Sequence, residues 1–380
     1  MGRPSHSLLQ PWYSLALCAL FFGAEGSGAQ VVQPLRLCTH PCPLPTLHPL
    51  ATLGGADEEG FIGRPSQVLR RPDGSWAVTD MLDPAKVKLF HPDGTWRGNI
   101  GQRGSGPGEY RHAMFLRNTP DGGLEVYDQS LLRLTRLDHS YGVAGTRRVD
   151  ISAAEIAFWE DGRFVANVPG YGTSHKELVL VQPNGSTGRR FGSADASGAP
   201  SVHSQWRHIA ATQNGEAVWS THLTRYRLER WSLAGVLDLV LEATFDWFPP
   251  GDRYGRPLRA EALSRPPYPG LVGIQQQANG LLWLLIHRPD VRWRDAISQR
   301  SRAGGLVTAT VHDDAGYMDT VVHVIDPGTA TIVGEGIFDD MLLGFAGPGL
   351  VYGLRETGPG IPIIHIWALQ FGDPHRDPSS

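Results

Sequence analysis

The chain has 380 residues, enough for one large β domain or two to three ordinary ones. Its 46 glycines, 29 prolines and 19% charged residues favour many turns and short elements over long helices. A formal charge of −4 leaves no basic footprint, which sets nucleic acid aside as a partner.

Residues 1–29 read as an export signal. Arg3 supplies charge, residues 12–23 form a short apolar core, and Ser27 and Ala29 are the small residues before a cut. The expected location is therefore exported, periplasmic or extracellular. The apolar run falls short of the roughly 20 residues that span a bilayer, so no transmembrane span is expected in the mature chain. Leu17 before Cys18 fits a lipid-anchor site poorly. Residues 30–47 are expected to be an N-terminal linker holding Cys38 and Cys42 in "LCTHPCPLP". In an oxidising compartment a local disulfide is the first reading. Free thiols and a metal site with His40 are the alternatives, the last lacking a fourth ligand.

From there the turn residues repeat. Asp73-Gly74, Asp121-Gly122, Asp161-Gly162, Asn214-Gly215 and Asn279-Gly280 each separate two short apolar runs, and Gly347-Pro348-Gly349 fills a sixth such place. Such dipeptides suit hairpins, which need positive φ. A second strand follows each turn, then a third, and some units add a fourth. Six meanders of three to four strands predict an all-β fold, a six-bladed β-propeller over 48–372, with a disordered tail at 373–380. A propeller must also cover its open sheet edges. Residues 48–54 have no blade of their own and the sixth unit lacks a fourth strand, so 48–54 is expected beside 363–370. The long interruption at 288–319 predicts a partly helical loop or flap.

The stretch "GQRGSGPGEY" (101–110) joins the first unit to the second. It lacks the P-loop lysine and following helix of a phosphate cradle, so Gly104, Gly106, Pro107, Gly108 and Glu109 are expected to shape a structural turn. With "PDG", "V-x-D" and "KVKLFHPDG" before it, this pattern resembles the opening blade of bacterial secreted six-bladed propellers with NHL-like repeats. The resemblance is strong over 53–140, fair to about 245 and only architectural beyond. It implies the fold and says little of chemistry, because propellers host lyases, lactonases, sensors and passive binding modules.

Candidate site residues follow from propeller geometry. Second strands end on Asp80, Asp128, Asn167, His222, His287 and Glu356, ringing one face. Asp80 and Asp128 are expected to cap turns, with weaker expectations as metal ligands beside His222 and His287. An ion, if bound, would be Ca²⁺ or Zn²⁺. Arg111, His112, Arg207 and His208 begin inner strands and are ligand candidates, as is Trp293 in the insertion. No nucleophile elbow, H-E-x-x-H or dinucleotide fingerprint is present. The reading is an exported binding or scaffold module for a small ligand, glycan or protein on the loop-rich face. The alternative is a metal-dependent hydrolase or lyase of the gluconolactonase or peptidylglycine-lyase propeller type.

Overall fold

The computed structural model describes residues 31–38, 41–55, 60–170, 176–192, 206–249, 251, 264–301, 307–356 and 360–372. Its repeated unit starts from one local rule. At 71–75 the Gly74 N–H donates to the Arg71 carbonyl, and Gly74 takes φ +83°. The Asp73 carboxylate accepts from the Ser75 N–H at 3.0 Å and the Ser75 hydroxyl at 2.6 Å. This is a turn closed by one left-handed residue, so within the Asp-Gly pair only the glycine needs positive φ. Gly122, Gly162, Gly215 and Gly280 repeat the same bond and the same conformation.

These hairpins assemble into six antiparallel sheets. Blade 1 spans 65–100, blade 2 113–148, blade 3 155–191, blade 4 207–242, blade 5 270–338 and blade 6 342–370. The first strands of successive blades touch all the way round, the sixth meeting the first. The chain is thus a six-bladed β-propeller, as the turn periodicity predicts. Six apolar clusters fill the seams between blades. One example joins Leu89 and Val87 of blade 1 to Leu116, Leu124 and Val126 of blade 2.

The ring closes through the N-terminal segment. Thr46–Leu53 runs antiparallel to Pro362–Gln370, from Thr46 opposite Gln370 to Leu53 opposite Ile364, and becomes the outer strand of blade 6. The expected pairing of 48–54 with 363–370 is therefore present, beginning two residues earlier. Of the expected linker at 30–47, the described residues 31–38 and 41–47 are tied to the blades. Val31–Pro34 adds a parallel fifth strand to blade 4, Arg36 bridges Thr331 of blade 5, and the Glu335 N–H donates to the Pro43 carbonyl. The segment is a strap along the rim of blades 4 and 5, with Cys38 and Cys42 joined in a disulfide, Cα atoms 5.6 Å apart.

The insertion in blade 5 differs from the expected loop. It holds a hairpin of Ile297–Ser301 and Val307–Val311, then a single helical turn, Asp314–Tyr317, capped by Asp313. The expected signal at 1–29 and the tail at 373–380 lie outside the described residues.

Candidate functional site

Alternating strand direction puts the second-to-third-strand loops and the blade-to-blade connections on one face. On the opposite face the turns run from 348–349 at the shortest to stretches such as 71–75 at the longest. The strand ends on the first face are joined through 192–206, 243–269 and 290–317, each longer in sequence than any turn of the opposite face. The molecule is therefore sharply two-sided, one face trimmed and one loop-rich.

At the loop-rich face the capping aspartates are fully used. Asp80 is buried and accepts from the N–H groups of Gly63, Arg64 and Leu82 and from the Lys88 ammonium, all at 2.9–3.0 Å. Burial pushes its pKa up, but those donors together hold it below the ordinary carboxylate value. Asp128 accepts from the N–H groups of Arg111, His112, Ser130 and Leu131. Among the described residues no three His, Cys, Asp or Glu side chains converge on one point. The weak metal set of Asp80, Asp128, His222 and His287 is not assembled: each of the four has its own separate partners.

His222, His287 and Arg207 turn inward rather than toward a ligand. His222 Nε2 lies 3.4 Å from Glu229 Oε1, and both residues are buried. Arg207 is sandwiched between Glu177 at 2.6 Å and Glu229 at 2.6 Å, and Arg227 reaches the other Glu229 oxygen at 2.7 Å. Burial penalises the Glu229 charge, but Arg207, His222 and Arg227 hold its pKa well below the ordinary value. His287 Nε2 donates to the Leu342 carbonyl at 2.7 Å, since a carbonyl only accepts. Alternating side chains explain the inward turn. These residues cap strands, but their side chains fall on the seam side of the pleat.

Burial drives the His287 pKa down to about 4, with the Leu342 carbonyl opposing and His208 adding to the shift. The unfolded chain binds that proton near 6.5, so the neutral form favours the fold. This contribution is whole above pH 6.5 and disappears as the pH falls toward 4, a loss of about 3 kcal/mol. Urea unfolding of wild type and His287→Gln at neutral and acid pH checks it. The wild type should lose that much more than the variant; parallel losses would refute the assignment.

The other candidates divide. Arg111 is exposed, and its backbone N–H donates to Asp128. Hydrogen-bond register sets His112, Arg64 and Trp206 at equivalent positions, since their carbonyls accept from Gln129, Met81 and Leu223 respectively. Sequence reasoning had matched Arg207 to that place and missed Trp206, which is 49% exposed just ahead of the first strand of blade 4. A lone Trp just ahead of a strand carried the signal. His208 Nδ1 faces Glu155 Oε2 at 3.6 Å, both half-buried, linking the inner strands of blades 3 and 4. Burial chiefly, and Glu155 in addition, push the Tyr352 pKa up, and His208 acts on His287. Glu155, His208, His287 and Tyr352 thus bring polar groups of four blades within electrostatic reach of one another. Trp293 is buried against Ala296, Tyr317 and Met318, with the Arg294 guanidinium 4.6 Å over its ring. It is a packing residue of the insertion, not an open stacking surface.

The glycine-rich connection is a folded turn. Glu109 Oε2 accepts from the Ser105 N–H at 2.9 Å and the Gly106 N–H at 2.8 Å, and Oε1 accepts from Gln102. Arg133 gathers the carbonyls of Ser105, Gly106 and Glu109. Gly101 and Gly108 take φ +86° and +75°, and a β-carbon at Gly104 would collide with the Glu109 carboxylate. Gly106 has ordinary φ, with a β-carbon 3.0 Å from Glu109 Oε2. Gly108→Val should therefore cost more than the about 1 kcal/mol typical of a point mutant, and Ser105→Ala close to nothing. Denaturant midpoints read both; equal midpoints for Gly108→Val and wild type would refute the strain.

A family model, DUF5128, described as a 6-bladed beta-propeller, matches residues 56–226. Among solved structures, a Bacteroides fragilis protein provisionally described as exported is 10% identical, covering 90% of this chain and 100% of its own, with a TM-score of 0.56. A duf4221 family member from Bacteroides vulgatus is 9% identical, covering 87% and 99%, with a TM-score of 0.57. Likeness at such identities shows the fold alone. Streptogramin B lyase aligns at 13% identity over 86% of this chain and 98% of its own, but its TM-score of 0.45 is too low to carry an argument. No curated protein matches the chain. Among the described residues no helix is long and apolar enough to cross a membrane.

Proposed function

We propose that this propeller is exported and acts as a binding or scaffold module, taking a small ligand, glycan or protein on its loop-rich face. The two-sidedness of the connections carries the reading. Long connections cost ordering entropy and add little to a core, and here they gather on one face of a rigid disc. Just ahead of the first strand of blade 4 the exposed Trp206 offers a ring for stacking, and the Glu155–His208 pair offers directional polar contacts. Export rests on the signal pattern in residues 1–29.

A thermal-shift panel of neutral and acidic oligosaccharides, Ca²⁺ and Zn²⁺ tests this. A stabilising compound should lose its effect in the Trp206→Ala, His208→Ala double variant and keep it in Gln213→Ala, which alters the trimmed face. The reverse pattern would place binding on the wrong face and overturn the reading.

A further inference from the structure

On the trimmed face, the 212–217 turn of blade 4 borders a cleft of about 440 Å³ that blade 5 helps to line through Gln276. That volume is ordinary for a small-molecule site, where about 300–1,000 Å³ is usual. The pleat builds the main wall. Trp219 faces Arg230 across the ladder and Ala217 faces Ser232, so the four side chains share one side of the sheet. Asp238 joins them from the fourth strand of the blade. Burial rises inward: Glu216 is exposed, Arg230 and Asp238 are half-buried, and Trp219 is fully buried.

The hydrogen bonding of this wall is unfinished. The Trp219 indole N–H is buried and has no acceptor among the described residues. Such a donor costs free energy until something accepts from it. Arg230 Nε donates to Asp238 Oδ1 at 2.9 Å, and the guanidinium carbon lies 5.7 Å from the centre of the Trp219 ring. Among the described residues nothing else takes the two terminal nitrogens of Arg230 or binds Asp238 Oδ2. Glu216 accepts from Asn214 Nδ2 at 2.9 Å, and among the described residues it forms no ion pair.

The open groups therefore fall into two sets. The Trp219 N–H and the Arg230 fork are donors suited to a carboxylate. Asp238 Oδ2 and Glu216 are acceptors suited to ammonium groups. One guanidinium stands against two carboxylates, so the lining carries an excess of one negative charge.

We propose that this cleft binds a free basic amino acid. The α-carboxylate takes the Arg230 fork and the Trp219 N–H, the α-ammonium takes Asp238, and the side-chain cation answers Glu216. A plain zwitterion leaves the excess negative charge in place, and so does a neutral sugar. The site lies apart from the loop-rich face and does not depend on what that face binds.

Calorimetric titration of the full chain with L-lysine at low salt reads the site. Saturable binding is expected. Nα-acetyl-lysine and lysine amide each lack one charged end and should bind about tenfold more weakly or worse. Asp238→Asn keeps the shape of the side chain and should cost about tenfold in affinity. Trp219→Phe keeps an aromatic ring, removes the N–H and should cost as much; Asp238→Asn carries the test if that variant does not fold. His208→Ala, on the other face, should bind lysine as the wild type does. No saturable lysine binding would overturn the site. So would binding that Asp238→Asn leaves unchanged, or binding of D-glucose in place of lysine.

Discussion

A chain lacking residues 30–54 should melt on the order of 10 °C below the full-length protein, or fail to show a cooperative transition. The strand Thr46–Leu53 is the outer edge of blade 6 and hydrogen-bonds along Pro362–Gln370. Leu53 within it is fully buried, in a cluster with Ile62, Val68, Ile364 and Ile366. Burying one such leucine contributes about 2 kcal/mol, and each backbone hydrogen bond about 1 kcal/mol. Removing the strand also strips Pro362–Gln370 of its outer partner, so that strand becomes the blade's open edge in its place. Deleting only 30–34 removes the parallel strand Val31–Pro34, whose valines are half exposed, and should cost far less. Leu53→Ala gives the graded form of the same test at about 2–5 kcal/mol. A melting curve unmoved by the 30–54 deletion would refute closure by this strand.

The closing strand was legible for a reason that the strap was not. A sheet edge that needs a partner, and a β-prone segment without a blade, are both visible in the chain order. The parallel pairing of Val31–Pro34 with Leu237–Glu242 joins segments some two hundred residues apart, and nothing local in "VVQP" announces it. Turn chemistry was legible because Gly74, Gly122, Gly162, Gly215 and Gly280 answer to a backbone requirement that no other residue meets cheaply. The same requirement hid where another residue took it on: Tyr141 and Ala330 adopt positive φ in turns the glycine pattern skips. The site was less legible still. Strand-end position located His222 and His287 correctly along the chain, but not the side of the pleat they occupy. That side depends on Glu229 and Leu342, which belong to other strands. The hairpin in the insertion was missed although "VTATV" is rich in β-branched residues.

Arg207→Met should destabilise the protein by about 3–5 kcal/mol at neutral pH, the largest effect expected of any single substitution in the network. The guanidinium is wholly buried, 2.6 Å from each of two carboxylates that are themselves buried. Methionine fills much of the volume, so the loss is electrostatic: Glu177 and Glu229 would face each other without the cation between them. Arg227 remains beside Glu229 and Ser220 lies nearby, but among the described residues Glu177 Oε2 already has no hydrogen-bond donor. The pH dependence gives the sharper test. In the wild type, burial resists the charge on Glu229, but Arg207, His222 and Arg227 hold its pKa well below 4.5. Its contribution is therefore present above 4.5 and is lost as the pH falls. In Arg207→Met the orphaned carboxyls are easier to bury as neutral acids. The variant's deficit should shrink as the pH falls from about 7 to about 4, reversing the sign of the wild-type trend at this site. Guanidinium chloride would screen the charges, so urea unfolding at the two pH values is the measurement. A deficit under about 1 kcal/mol, or one that grows in acid, would show that Arg207 is not the cation that neutralises this seam.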